Sequence, residues 1–203
     1  GPQFSVQDVH NGWVTALAAL GNEVVSYNLA HRLTFYSAAH VKRGSRWKHA
    51  LNNEEAISLA SKGVESVAFE MWPDVVIFTS AFFIPKFLLD LLRKRNMKTV
   101  ILMTESPYED MTQVQKAPHA DVILLNDPTN LTLFQRVNEH SYYFPHAYAP
   151  AVHYRRPANS AMESDFCFGG TGFPSRVEFF EQVDWTGIDV ALAGNWKAAK
   201  PES

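Results

Sequence analysis

Short apolar runs, separated by helix-like stretches, are the feature that most constrains the fold of this chain. Residues 75–78, 100–103 and 122–125 are continuously apolar, as is typical of strands that are covered on both faces in a parallel sheet. The stretches between them are long enough for the crossover connections that parallel strands require. The sequence therefore predicts a doubly wound, parallel-sheet, Rossmann-like α/β domain in which these three runs are interior strands.

The other elements extend this pattern over two domains. A Rossmann-like first domain is predicted for residues 1–148, and the beginning of a second Rossmann-like domain for residues 149–203. The predicted strands of the first domain are residues 23–28, 74–79, 98–104, 121–125 and 141–144, and its predicted helices are residues 12–20, 52–72 and 84–95. In the second domain, strands are predicted at residues 165–169 and 188–194, with a helix from Pro174 between them.

Both ends of the chain depart from a complete fold of this kind. A Rossmann-like sheet should open with a strand, but residues 1–11 contain no apolar run, so we expect the chain to begin after the first strand. Alternatively, Gly1-Pro2 is the remnant of a cleaved affinity tag. Two strands and one helix cannot bury a core of their own. We therefore expect the second domain to be truncated.

Composition limits the classes of protein to which the chain can belong. With 203 residues, 46% of them hydrophobic and 19% charged, it has the makeup of an ordinary globular protein. A net charge of −3 argues against a globally basic nucleic-acid-binding protein. No apolar run is long enough to span a bilayer, and the single cysteine, Cys167, cannot form an internal disulfide. We therefore expect a cytoplasmic protein without a membrane span.

A glycine-rich turn between a strand and a helix is the clearest chemical signal in the sequence. Residues 165–169 predict a buried strand, and Gly170-Thr171-Gly172 leads from it to the helix at Pro174. Glycines let the backbone approach an anion, and the positive end of a helix dipole favours one. Arg176 would add a permanent charge. We interpret the turn as a phosphate site. Alternatively, its glycines only permit a tight turn and Arg176 is solvated.

Four stretches give the chain a resemblance to a known family. They are Asn11-Gly12-Trp13 with the following residues 17–24, Thr104-Glu105-Ser106-Pro107-Tyr108, the segment 143–153, and Phe168-Gly169-Gly170-Thr171-Gly172-Phe173-Pro174-Ser175-Arg176. Their order resembles the two-Rossmann (GT-B) glycosyltransferases, most closely the spore-maturation-protein-B-like branch near family 4. The chain departs from the family pattern in two respects. Ala149 stands in the hinge where the family often has Asp, and the family's later acidic donor-binding motif is absent.

The resemblance implies a glycosyltransferase that moves a sugar from a nucleotide-diphosphate sugar to an acceptor hydroxyl. The first domain would bind the acceptor and the second the donor, with Gly170, Thr171, Gly172 and Arg176 at the diphosphate. We expect no cofactor and no metal, since the sequence has no Asp-x-Asp, paired Cys or His-x-x-x-His pattern. This chain alone is expected to be inactive. A non-catalytic GT-B-derived binding module and a glycosyltransferase of modified nucleic-acid bases remain open as alternatives.

Polar side chains directly after two predicted strands are the candidates for the chemistry. Glu105 follows residues 98–104 at the edge where open α/β sheets bind their ligands. It is a candidate general base, or alternatively a residue that orients the acceptor. Asn126 and Asp127 follow the next strand, although Asp127 could instead cap a helix beginning at Pro128. Glu109 and Asp110 are assigned to the solvated face of the following helix.

Two further groups of residues are placed near ligands. His10, Asn11 and Gly12 form a predicted turn at the interdomain cleft, where Gly12 would permit close approach of a ligand, or would simply begin a helix. His146 lies in the predicted hinge and could reach the donor, although a lone histidine is also commonly a packed or surface residue.

A basic stretch lies between the first and second predicted helices. It contains Lys42, Arg43, Arg46, Trp47 and Lys48. Lysine and arginine attract phosphates and Trp offers a stacking face, so an acidic acceptor, including nucleic acid, is one interpretation. The other is a solvated loop. The sequence does not fix the oligomeric state, the sugar or the stereochemistry.

Overall fold

The computed structural model describes residues 7–37, 51–157 and 159–197. The chain divides into two compact units, Gly1–Ala149 and Pro150–Ser203. The division falls within the segment 143–153 to which the hinge was assigned. Each unit is described by itself below.

A parallel sheet organises the first unit. Its strands are β1 (Val75–Thr79), β2 (Lys98–Met103), β3 (Val122–Leu125) and β4 (Ser141–Tyr143), and they lie side by side in chain order. All three pairings are parallel. This arrangement confirms the predicted mixed α/β class with a parallel sheet flanked by helices, and it is compatible with a Rossmann-like fold.

Helices connect and precede these strands. The first unit contains α1 (Gln7–Ala19), α2 (Leu29–Ser37), α3 (Asn53–Met71), α4 (Lys86–Lys94), α5 (Asp110–Gln113) and α6 (Leu131–Gln135), with a 3₁₀ helix at Val114–His119. The bounds of α3 agree with the predicted 52–72. Asn52 and Glu55 form a reciprocal capping box that fixes the start of this helix. Arg93 and Lys94 close α4, where cations complement the helix dipole.

The core of the first unit lies between α4 and the two central strands. Leu88, Leu89 and Leu92 of α4 are fully or almost fully buried, as are Ile101 in β2 and Ile123 in β3. Burying side chains of this size stabilises the fold by about 1.5–3 kcal/mol each. The continuous apolar runs of β2 and β3 therefore reflect genuine burial.

Three predictions for the first unit are wrong. Residues 23–28 do not form a strand, since no strand within the described residues supplies the hydrogen bonds that would define one. As a consequence β1 is an outer strand of the described sheet rather than an interior one, and Val75 is 48% exposed. The first helix begins by Gln7, so the predicted turn at His10, Asn11 and Gly12 is part of α1. Helix α2 was not predicted.

The second unit contains a parallel pair of strands, β5 (Phe166–Gly169) and β6 (Val190–Ala193), and the intervening helix α7 (Pro174–Glu181). The strand, turn and helix lie where the sequence predicts them. However, β5 is largely exposed, so its predicted burial is wrong. Aromatic rings pack this unit together: the Phe180 ring lies 5.6 Å from Trp185 and 5.5 Å from both Phe168 and Trp196 between centroids.

Candidate active site at the carboxyl edge of the sheet

The carboxyl ends of β1, β2 and β3 bring polar residues together in the first unit. The Ser80 N–H donates to Leu102 O at 2.9 Å, and the Asn126 N–H reaches Met103 O at 3.4 Å. Ser80, Thr104 and Asn126, the residues that follow the three strands, therefore lie at one edge, which we call the polar edge. Ligands of parallel α/β sheets bind at this edge, and Glu105 comes next after Thr104.

Unpartnered oxygen atoms distinguish the polar edge from an ordinary loop region. Ser80 Oγ, Thr104 Oγ1 and Asn126 Oδ1 are buried without a hydrogen-bond partner among the described residues. Each such atom costs about 1–3 kcal/mol, so the three together make this edge a candidate for a bound water or ligand. Ser80 also has a φ of 61°, a left-handed conformation that is unfavourable for a non-glycine residue and frequent at functional sites.

Asn126 and His146, both predicted site residues, meet at this edge. Asn126 Nδ2 lies 3.2 Å from His146 Nε2. Asp127 is turned to its own loop, where its Oδ1 accepts a hydrogen bond of 2.8 Å from the Thr129 N–H. Hydrogen bonds from Thr129 lower the pKa of Asp127. The alternative role of Asp127 as a helix cap is wrong, because α6 begins only at Leu131.

The loop that carries Glu105 is tightly folded. The Glu105 carbonyl accepts the Tyr108 N–H at 2.9 Å and the Glu109 N–H at 3.3 Å, and the Ser106–Pro107 peptide is cis. The Glu105 side chain is partly buried. Asp110 is completely buried, so its assignment to a solvated face is wrong, whereas Glu109 is exposed.

A half-buried lysine, which the sequence analysis missed, binds the loop after β1. Lys116 Nζ donates to the carbonyls of Ala81 and Phe82, at 2.7 Å in the second case. Burial, with a smaller contribution from the nearby Lys86, lowers the pKa of Lys116 to about 8. No local pattern signals this role, because the lysine and the two carbonyls are more than thirty residues apart.

The residues predicted at the start of the chain are engaged within α1 and its neighbourhood. His10 Nε2 lies 2.7 Å from Ser26 Oγ, and burial lowers the pKa of His10. A Cβ added to Gly12 would have no atom within 4 Å. The structure therefore gives Gly12 no close neighbour that would require a glycine, and Asn11 lies beside it on the helix.

The glycine turn of the second unit is bonded largely to its own chain. The Gly170 N–H donates to Ala193 O and the Gly172 N–H to Asn195 O. The N–H groups of Thr171 and Ser175 have no partner among the described residues. Arg176 donates to the Thr171 carbonyl.

Aromatic side chains fill the space beside both glycines. The Arg176 guanidinium lies 4.9 Å from the Phe168 ring centroid. A Cβ on Gly172 would lie 2.5 Å from Trp196 Cε3, and one on Gly170 would lie 2.8 Å from Phe168 Cε1. These glycines therefore make room for aromatic rings of the same unit, and neither has the positive φ of a strained turn.

Other predicted features have no described counterpart. Lys42, Arg43, Arg46, Trp47 and Lys48 lie outside the described residues. Within residues 7–37, 51–157 and 159–197, no group of three or more His, Cys, Asp or Glu side chains is placed to hold a metal ion. No helix of the described part is long and apolar enough to cross a membrane.

Comparison with other proteins adds no assignment. No family model matches the chain, and no curated protein or solved structure is significantly similar to it.

Proposed function

We propose that this protein is a metal-independent glycosyltransferase of the GT-B type, which moves a sugar from a nucleotide-diphosphate sugar to an acceptor hydroxyl. The observation that carries the proposal is the juxtaposition of Glu105 with the polar edge formed by Ser80, Thr104 and Asn126. The family resemblance of the sequence supplies the reaction class.

The polar edge suits an acceptor that carries hydroxyl groups. A hydroxyl both donates and accepts hydrogen bonds, so it could pair with the buried oxygens of Ser80, Thr104 and Asn126 once the edge opens to admit it. Sugar transfer also needs the acceptor hydroxyl to be oriented and, in the inverting case, deprotonated. Glu105, which follows β2 directly after Thr104, is the carboxylate that we assign to this task.

The glycine turn of the second unit is our candidate for the donor diphosphate. Helix α7 has its positive end there, and the N–H groups of Thr171 and Ser175 have no partner in the described part of the chain. Arg176 adds a guanidinium on the first turn of that helix. An anion at this place would gain from the two N–H groups, the helix dipole and the arginine charge.

A nucleotide-sugar hydrolysis assay on the full-length protein tests this proposal. Glu105→Gln should lower kcat by about 10²- to 10⁴-fold if Glu105 is a general base, whereas Glu109→Gln, an exposed carboxylate of the same loop, should leave it unchanged. Arg176→Ala should weaken the binding of nucleotide diphosphates. An unchanged kcat in Glu105→Gln would rule out Glu105 as the general base, and unchanged nucleotide binding in Arg176→Ala would rule out Arg176 at the diphosphate. A wild-type protein that hydrolyses no nucleotide sugar would contradict the proposed enzymatic function.

A binding module without turnover is the second candidate, because the glycine turn has fewer donors left to stabilise a leaving diphosphate than an open phosphate loop has. The Gly170 and Gly172 N–H groups and part of the Arg176 guanidinium are already used within the unit. Thermal shift separates the two functions, because ligands that bind the folded state raise its apparent stability. A nucleotide sugar that raises the melting temperature but is not consumed would support the binding module.

A further inference from the structure

We infer that Asp110 is a positioning residue that holds the Glu105 loop in place through a clasp formed by Ser106, Asp110 and Asn130. Asp110 Oδ2 accepts hydrogen bonds from Ser106 Oγ at 2.7 Å and from Asn130 Nδ2 at 3.0 Å. We call this arrangement the Asp110 clasp. Its importance for Glu105 rests on the proposed function, whereas its effect on the loop does not.

The clasp joins the loops that follow two neighbouring strands. Ser106 is the residue after Glu105 in the loop that follows β2, and Asn130 immediately precedes α6 in the loop that follows β3. Asp110 begins the short helix α5. The single carboxylate oxygen therefore joins the Glu105 loop to the loop that follows β3.

The clasp places a polar side chain inside the fold, next to a second buried polar side chain, Gln113. Asp110 and Gln113 are both 0% exposed. Asp110 Oδ1 and both amide atoms of Gln113 are buried without a partner among the described residues. Burying polar atoms in this way is unfavourable, and an apolar side chain at either position would avoid that cost.

The backbone bonds of the loop show what the clasp maintains. The Glu105 carbonyl accepts the N–H groups of Tyr108 and Glu109, and Ser106, held by Asp110, lies inside that turn. If the Ser106 and Asn130 bonds are lost, the turn can open and Glu105 loses its fixed position. Asp110 would thus act through Glu105 without touching the substrate.

Hydrogen exchange of the full-length protein tests the clasp without requiring activity. In Asp110→Ala, the amides of Tyr108 and Glu109 should exchange about tenfold faster or more, the effect of losing one to two hydrogen bonds, while the amides of β2 stay protected. Met111→Ala is the matched control, because it shortens a side chain of the same helix that is 72% exposed. Equal exchange in the two variants would overturn the inference.

Three more variants keep the test decisive if Asp110→Ala does not fold. Ser106→Ala and Asn130→Ala each remove one donor and should each accelerate the same amides by a smaller factor. Asp110→Asn retains an acceptor oxygen and should restore most of the protection. Protection that is unchanged in both donor variants would overturn the clasp.

A double-mutant cycle tests whether Asp110 acts through Glu105. We expect Asp110→Ala to lower kcat for the nucleotide sugar with an unchanged KM, and to have little further effect when Glu105→Gln is already present. Equal fold losses in both backgrounds would overturn the positioning role. If the wild type turns over no nucleotide sugar, the proposed function fails and with it the link to catalysis, while exchange still decides whether the clasp holds the loop.

Discussion

Replacing Gly172 by alanine tests whether the glycine turn exists for its own aromatic packing. The new Cβ would lie 2.5 Å from Trp196 Cε3 and 2.9 Å from Trp196 Cδ2, which is closer than any real contact of this kind. The indole must therefore move, and it lies 5.7 Å from the Phe168 ring and 5.5 Å from the Phe180 ring between centroids.

The expected cost follows from these contacts. Overpacking costs about 1–3 kcal/mol, and each disturbed aromatic pair adds about 0.5–1.5 kcal/mol. Alanine also restricts the conformations of the unfolded chain, which stabilises the folded state by about 0.4–1 kcal/mol. This gain is available because the backbone at Gly172 does not have a positive φ. Because two aromatic pairs are disturbed, we expect Gly172→Ala to lower the free energy of unfolding of the second unit by about 1–5 kcal/mol.

Urea unfolding followed by tryptophan fluorescence measures this loss. Gly169→Ala is the matched control, since a Cβ there would have no atom within 4 Å, and it should be neutral. Trp196→Ala should make the Gly172 substitution harmless in the double variant. A Gly172→Ala protein as stable as the Gly169→Ala control would refute the packing explanation of the turn.

Two ionisable groups of the first unit give pH-dependent predictions. Burial would raise the pKa of Asp121, but hydrogen bonds from Thr99 and the charges of Arg93 and Lys98 hold it below its usual value. Asp121→Ala should thus lower the free energy of unfolding by about 1–3 kcal/mol at pH 7, a difference that chemical denaturation should show disappearing as the pH falls below about 4. The pKa of Lys116 is lowered to about 8 in the folded protein. Between pH 8 and about 10.4, Lys116 is therefore protonated more fully in the unfolded chain than in the folded protein. Stability should rise with pH across that range, and less so in Lys116→Met.

The sheet could be predicted because its signal is local. The runs in β2 and β3 are apolar at every position, and central strands with helices on both faces need that composition. Residues 23–28 carry a weaker strand signal, with only Val24, Val25 and Tyr27 apolar or aromatic. A strand also needs a partner, and composition does not say whether one lies beside it. The same segment instead contributes Tyr27, whose hydroxyl donates to the Ala60 carbonyl of α3.

The site was only partly predictable because its key contacts join distant residues. Glu105 and Asn126 could be found, since both follow an apolar strand. Asp110 could not, because its neighbours in sequence suggest a solvated helix start, while one of its hydrogen-bond donors is Asn130, twenty residues further along. Lys116 is a similar case, with partners after β1.

The chemistry of Arg176 reconciles an internally bonded turn with an anion site. A guanidinium carries five N–H donors in a planar fork, and it accepts no hydrogen bonds itself. Arg176 donates one N–H to the Thr171 carbonyl, and its cation rests on the Phe168 and Phe173 rings. These contacts fix the plane of the fork without consuming its other donors or its charge. An arginine held in this way loses less conformational entropy when it binds a diphosphate than one that extends freely into solvent. The internal bonds of the glycine turn are therefore compatible with donor binding, provided that the anion is held by Arg176 and the N–H groups of Thr171 and Ser175 rather than by the N–H groups of the two glycines.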